Sequence, residues 1–89
     1  MNDKQKEILV IAQEECAEVI QEISKCFRFG IENTHKSGSL HKDVLAEELG
    51  DLLCMIDLIL EHDLVDTNRV ESAKQNKKKK LEIYSSIFK

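Results

Sequence analysis

Apolar side chains recur every three or four residues in three stretches of the chain, the spacing of one face of an α-helix. The first stretch covers about residues 3 to 28 and the second about residues 41 to 62, and a third begins at Asp66 or Thr67. A polar segment with two of the three glycines separates the first two and predicts a flexible connection. The pattern therefore predicts an all-α protein with one domain over residues 1–89.

Each predicted helix has an apolar stripe that we expect to lie in the core. In the first helix the stripe consists of Ile8, Ile11, Ala12, Cys16, Val19, Ile23 and Cys26. In the second helix it consists of Leu45, Leu49, Leu52, Ile56 and Ile59. One side of the third helix carries Val70, Ala73, Lys77, Leu81 and Tyr84.

The length of the chain bears on how these stripes are covered. A chain of 89 residues is close to the size at which a single hydrophobic core stabilises a fold only marginally. The chain has no Trp and draws its apolar surface chiefly from Leu, Ile and Val, so that three short helices leave one apolar face uncovered. We therefore expect a helical bundle completed by oligomerisation, as a homodimer or a homotetramer.

Charge and cysteine content narrow the functional classes. The net charge of −4 argues against nucleic acid as the main ligand, because phosphate backbones select basic surfaces. No apolar run approaches the roughly 18 residues of a membrane span, and the N-terminus lacks the layout of a signal peptide. The three cysteines form no CxxC pair, which predicts a reducing, cytoplasmic location with thiols in or near the core.

Acidic residues lie directly beside the apolar stripes of the first two helices. Glu15 and Glu18 are one helical turn apart, as are Glu48 and Asp51, so each pair shares a helix face. If the helices pack antiparallel, the two pairs meet, and like charges about 4 Å apart repel by about 4 kcal/mol at an effective dielectric near 20. Such a group needs protons or a cation. Ligands that are all oxygen suit Mg²⁺ or Mn²⁺ rather than zinc.

Two segments carry a resemblance to a known family. EECAE at residues 14–18 and EELGD at 47–51 resemble the paired EExxE and EExxD signature of the MazG-type, all-α nucleoside triphosphate pyrophosphohydrolases. RFG at 28–30 also resembles phage and bacterial members, and the resemblance covers about residues 7 to 60. It implies Mg²⁺-dependent hydrolysis of (deoxy)nucleoside triphosphates to nucleoside monophosphate and pyrophosphate by a dimeric or tetrameric helical bundle. The metal ligands and catalytic residues that it implies are Glu15, Glu18, Glu48 and Asp51.

Cations that follow the acids are candidates for binding phosphate. Glu15 and Glu18 lie on one face of the first helix, which we call the acidic ridge. Lys25 and Arg28 continue this ridge and are expected to reach the outer phosphates of a substrate. Lys74 and Lys77 offer a second positive face on the third helix. The KKKK run that contains Lys77 is also typical of a solvated charge run near a helix C-terminus.

Two alternatives to this enzyme stay open on the sequence alone. The acids are compatible with solvated positions on amphipathic helices, because Glu is a strong helix former, and the chain would then be a non-catalytic interaction module. A carboxylate-bridged redox-metal bundle would use a Glu-x-x-His pair, and Glu32 and His35 form one copy inside the glycine-flanked loop. His41 and His62 are interpreted as helix-end residues without a functional role.

Overall fold

The computed structural model describes all 89 residues and contains three α-helices. Helix α1 spans Asp3–Phe29, helix α2 spans His41–Glu61 and helix α3 spans Thr67–Tyr84. The prediction of an all-α fold is confirmed, and the helix boundaries lie close to those read from the sequence. None of the three helices is both long enough and apolar enough to cross a lipid bilayer.

Side chains of the expected types define where two of the helices begin. The Asn2 side chain accepts a hydrogen bond from the Gln5 amide, and the Gln5 side chain accepts one from the Asn2 amide, which forms a capping box. At the start of α3, the Asp66 carboxylate accepts hydrogen bonds from the amides of Asn68 and Arg69. These caps satisfy backbone donors that have no partner inside the helix.

The connection between α1 and α2 is a hydrogen-bonded turn rather than an unstructured segment. Gly30 ends α1 with φ of 91°, a conformation that favours glycine. The amide of His41 donates to the carbonyl of Asn33 at 2.9 Å, and that of Lys42 donates to the carbonyl of Ile31 at 3.0 Å. The loop carbonyls thus do the work of an N-cap for α2, which has no side-chain cap. This arrangement fixes the loop against the first turn of α2.

Helices α1 and α2 pack against each other and form a small core. Ile8 and Ala12 of α1 are buried against Met55 of α2, and Leu58 and Ile59 pack at the edge of this cluster. The core therefore lies towards the N-terminal end of α1 and the C-terminal end of α2. It follows that these helices run antiparallel, which brings the centre of α1 next to the centre of α2.

The expected apolar stripe of α2 is covered only in part: Leu45, Leu52 and Ile59 are half-buried, and Ile59 packs against the core. Met55, from the ridge that carries the acids, is buried, whereas Leu49 and Ile56 are 41% and 36% exposed. Apolar residues occur around most of α2, so periodicity alone does not say which stripe faces α1. Two of the three cysteines, Cys16 and Cys54, are exposed, so the prediction of core thiols is wrong for them.

Helix α3 contributes little to the core. None of its residues is buried, and Val70 and Tyr84 of its predicted stripe are 36% and 83% exposed. The molecule measures 41 × 37 × 14 Å with a radius of gyration of 15.9 Å, against about 12 Å for a compact domain of this length. The single chain is therefore open and flat.

Candidate functional site

Four acidic side chains converge where α1 crosses the middle of α2. Glu15 and Glu18 come from α1, and Glu48 and Asp51 come from α2. One carboxylate oxygen from each lies within 4.8 Å of those from the other three. The structure thus brings together the two pairs that the sequence predicts to meet, because each pair occupies adjacent turns of a helix on the packed side. We call this group the acid cluster.

Two members of the acid cluster have carboxylate oxygens with no partner in the protein. Oε2 of Glu15 and Oε2 of Glu48 are buried and accept no hydrogen bond. A buried acceptor that lacks a partner loses its hydration without compensation, which destabilises the cluster when no proton or cation is bound. A proton or a cation between the carboxylates would remove this destabilisation. The donor set is four carboxylates, and it fits a hard divalent cation.

Two members of the acid cluster, Glu15 and Glu48, hold a proton more tightly than an ordinary glutamate. The pKa of Glu48 is raised from 4.5 to about 7, first because its protonated form can donate a hydrogen bond to Glu18, then by burial, and then by the charges of Glu18, Asp51 and Glu15. The pKa of Glu15 is also raised, chiefly by burial and next by the charge of Glu18. A shared proton therefore lowers the repulsion of the metal-free cluster near neutral pH.

A second feature, which we call the basic cavity, lies beyond the acid cluster at the C-terminal end of α1. It has a volume of about 560 Å³, and its walls come from Lys25, Arg28 and Phe29, from loop residues 33–36, and from His41. Phe29 is its one hydrophobic residue. The guanidinium carbon of Arg28 lies 4.8 Å from the centroid of the Phe29 ring, a cation–π distance. The two α1 cations predicted to bind phosphate therefore line one cavity.

A buried pair lies between the acid cluster and the basic cavity. Nδ1 of His41 is 3.0 Å from Oε1 of Glu22, and each residue is 3% exposed. The His41 ring also stacks on Phe29, with centroids 5.6 Å apart, and the edge of His35 meets it at 5.4 Å. The interpretation of His41 as a helix-end residue without a role is therefore incomplete. Glu22 lies one helical turn beyond Glu18 on the same face of α1, and no spacing in the sequence connects it with His41.

The remaining candidates lie elsewhere. Lys74 and Lys77 are exposed on α3 and belong neither to the acid cluster nor to the walls of the basic cavity. Glu32 forms an exposed ion pair with Lys42 at 3.0 Å, and Nδ1 of His35 is 3.0 Å from the Ser37 hydroxyl. Glu32 and His35 therefore do not form the Glu-x-x-His ligand pair of a redox-metal bundle.

The chain matches no protein-family model, no curated protein and no solved structure. The resemblance to MazG-type enzymes accordingly rests on the two acidic motifs and RFG. The acid cluster and the basic cavity are the physical basis on which a function can be inferred.

Proposed function

We propose that the protein is a metal-dependent pyrophosphohydrolase of (deoxy)nucleoside triphosphates. The convergence of Glu15, Glu18, Glu48 and Asp51 is the observation that carries the proposal. Carboxylates that repel one another and leave buried oxygens unpaired destabilise the fold, but they suit a site that binds a divalent cation. The order of the motifs, EECAE at 14–18 before EELGD at 47–51, supports the same pyrophosphohydrolase activity.

The proposed ion is Mg²⁺, with Mn²⁺ as an alternative. All four candidate ligands are carboxylates and no histidine belongs to the cluster, which favours hard cations over zinc or redox iron. When bound, such an ion lowers the pKa of a coordinated water and neutralises charge on phosphate oxygens. The four acids would hold the ion between α1 and α2. Without it they would repel a triphosphate.

Positive side chains complete the proposed site. Lys25 and Arg28 are the cations on the same ridge of α1 as the acids, and both line the basic cavity. We propose that they bind the outer phosphates by charge-assisted hydrogen bonds, which are roughly twice as strong as neutral ones. Lys74 and Lys77 lie outside this cavity, and they would bind phosphate only if another copy of the chain brought its α3 to the site.

The proposal includes a homodimer or a homotetramer. Leu49, Leu53 and Ile56 form a partly exposed apolar strip on α2, and α3 has no buried residue. Packing of helices from a second copy would bury these surfaces. Light scattering at micromolar concentration should give a multiple of the 10.2 kDa chain mass. A folded monomer would contradict this part of the proposal.

Pyrophosphate release from a panel of canonical and modified nucleoside triphosphates tests the activity. We expect release that requires Mg²⁺ or Mn²⁺ and that is lost in Glu48→Gln. Glu47→Gln is the matched control, because it removes the same charge from an exposed neighbour outside the acid cluster. Absence of release from every triphosphate with either metal would refute the proposed function and leave a non-catalytic module.

A further inference from the structure

The basic cavity and the acid cluster lie along one face of α1, which sets how an elongated ligand would lie. Lys25 follows Glu18 by seven residues, or about 10 Å along the helix axis. Helical side chains lean towards the N-terminus of their helix, so we expect the Lys25 side chain to lean towards the acids. An elongated ligand that a metal ion holds at the acid cluster would therefore extend one of its ends into the basic cavity.

The lining of the basic cavity indicates which end enters. Lys25, Arg28 and Lys36 contribute permanent positive charges, and none of the eight lining residues is acidic. Pockets for an uncharged organic group, such as a nucleobase, are lined mainly by apolar and aromatic side chains. Here Phe29 alone is apolar, and Arg28 and His41 already stack on its ring. The chemistry of the walls fits an anion with several oxygens.

His41 adds a directed polar group to this wall. It is 3% exposed, and its Nδ1 is held by Glu22, so that Nε2 is the ring nitrogen left for a ligand. Glu22 thereby fixes the orientation of the ring as well as its burial. Thr34 also lines the cavity, and its side chain carries a hydroxyl that can donate a hydrogen bond. The cavity therefore gathers three cations, a fixed imidazole and a hydroxyl-bearing residue, and this combination suits an anion with several oxygens.

We propose that the basic cavity binds the pyrophosphate end of the nucleotide, with the nucleoside on the opposite side of the acid cluster. This orientation rests on the proposed function. In that reaction a water oxygen bonds to the α-phosphorus and the bond from this phosphorus to the bridging oxygen breaks. Pyrophosphate leaves with the bridging oxygen and its electron pair, and the proton from water passes to solvent. The loop between α1 and α2 then recognises the phosphate chain and not the base.

Calorimetric titration of the metal-free full-length chain with inorganic pyrophosphate tests the cavity directly. Lys36→Ala should weaken binding by about tenfold and Arg28→Ala by at least as much, the size expected for losing a hydrogen bond to a charged group. Lys42→Ala is the matched control, since Lys42 is a neighbouring exposed lysine that pairs with Glu32 and does not line the cavity. It should change the affinity by less than about twofold, since exposed pairs contribute little.

Nucleotide kinetics separate the orientation from the reaction. Lys36→Ala should raise KM for all triphosphates by a similar factor, so that the ratio of kcat/KM between different bases stays as in the wild type. A ratio that changes severalfold would overturn the orientation, because the loop would then contact the base.

The remaining outcomes distinguish the cavity from the proposed function. Wild-type chain that does not bind pyrophosphate, or Lys36→Ala and Arg28→Ala with unchanged affinity and KM, would overturn the cavity even if triphosphates are hydrolysed. Pyrophosphate binding that depends on Lys36, in a chain without any hydrolysis, would support the anion site and refute the proposed reaction.

Discussion

The acid cluster and the basic cavity occupy the same face of α1 and carry opposite charge. The acid cluster is built from side chains on regular helical turns, Glu15 and Glu18 against Glu48 and Asp51. The basic cavity takes its cations from the end of α1 and from a loop whose backbone hydrogen bonds hold it against α2. The carboxylates of the acid cluster repel one another unless a cation binds between them. The cations of the basic cavity repel one another unless an anion binds between them. A metal-bound polyphosphate satisfies both at once.

The Glu22–His41 pair joins the two regions, because Glu22 lies one helical turn beyond Glu18 and His41 lines the basic cavity. It places a carboxylate of the acidic ridge of α1 against the first residue of α2, which also lines the basic cavity. The pair therefore fixes the distance between the N-terminus of α2 and the turn of α1 that carries Glu22. Damage to it should disturb both regions, whereas damage to a single region should leave the other intact.

The largest effect on stability is expected from His41→Ala. The change leaves Glu22 buried without its partner, and breaking a buried pair from one side costs about 3–5 kcal/mol of unfolding free energy. Urea unfolding of the metal-free chain measures this loss. Glu22→Gln should cost less, because the amide oxygen still accepts a hydrogen bond from His41. His62→Ala removes a histidine from the other end of α2 and serves as the control.

A loss below about 1 kcal/mol for His41→Ala, comparable with an ordinary surface change, would show that the pair does not join the two regions. The acid cluster and the basic cavity would then be two independent sites on the same helix.

Glu48→Gln should abolish stabilisation by Mg²⁺. A ligand present at 100 times its Kd raises the unfolding free energy by about 2.7 kcal/mol, and for a domain of this size that raises Tm on the order of 10 °C. Without metal, the variant should be as stable as the wild type or more stable, because one repelling charge is gone. Thermal unfolding with and without millimolar Mg²⁺ measures both quantities, and Glu47→Gln should keep the full response.

A Glu48→Gln variant that loses stability without metal and still responds to Mg²⁺ would contradict the acid cluster as a metal site. The opposite charges of the two regions would then have no common ligand.

The Mg²⁺ response should grow as pH rises from 6 to 8. The folded-state pKa of Glu48 is about 7 against an ordinary value of 4.5, so the folded chain holds a proton that the unfolded chain has lost. Stability from this proton is fully present below about pH 4.5 and is lost as pH rises through about 7. Mg²⁺ must displace the proton, so it binds more tightly once the proton is gone.

Tm values with and without Mg²⁺ at pH 6 and pH 8 measure this linkage. Glu48→Gln should flatten the metal-free dependence in this range. A response to Mg²⁺ that is equal at the two pH values would show that Glu48 does not exchange a proton for the ion.

The acid cluster could be predicted from the sequence because regular geometry determines it. A spacing of three residues places each acid pair on one helix face, and antiparallel packing of two helices leaves few ways to arrange those faces. The same geometry predicted Lys25 and Arg28 as neighbours of the acids. It did not predict which stripe of α2 would be buried, because Leu49 and Ile56 are as apolar as the residues that α1 covers.

The loop half of the basic cavity could not be predicted in this way. The roles of Lys36 and His41 depend on backbone hydrogen bonds such as those from His41 to Asn33 and from Lys42 to Ile31. Such contacts follow from the conformation of an irregular segment, which has no periodicity to read. Glycine and polar residues indicated a connection between helices but gave no information about the surface that it forms.

The smallest effect is expected from the double change Lys74→Ala with Lys77→Ala. Both side chains are exposed on α3 and line neither the acid cluster nor the basic cavity, so kcat/KM for triphosphates should stay within about twofold of the wild type. Arg69→Ala, which removes another exposed charge from α3, is the control. A drop of tenfold or more in the double variant, with the control unchanged, would place these lysines at the phosphates of another copy. In that case one chain would supply the acids and another chain the lysines of each site. Mixing the double variant with Glu48→Gln should then restore activity, because the double variant supplies the acids and Glu48→Gln supplies the lysines.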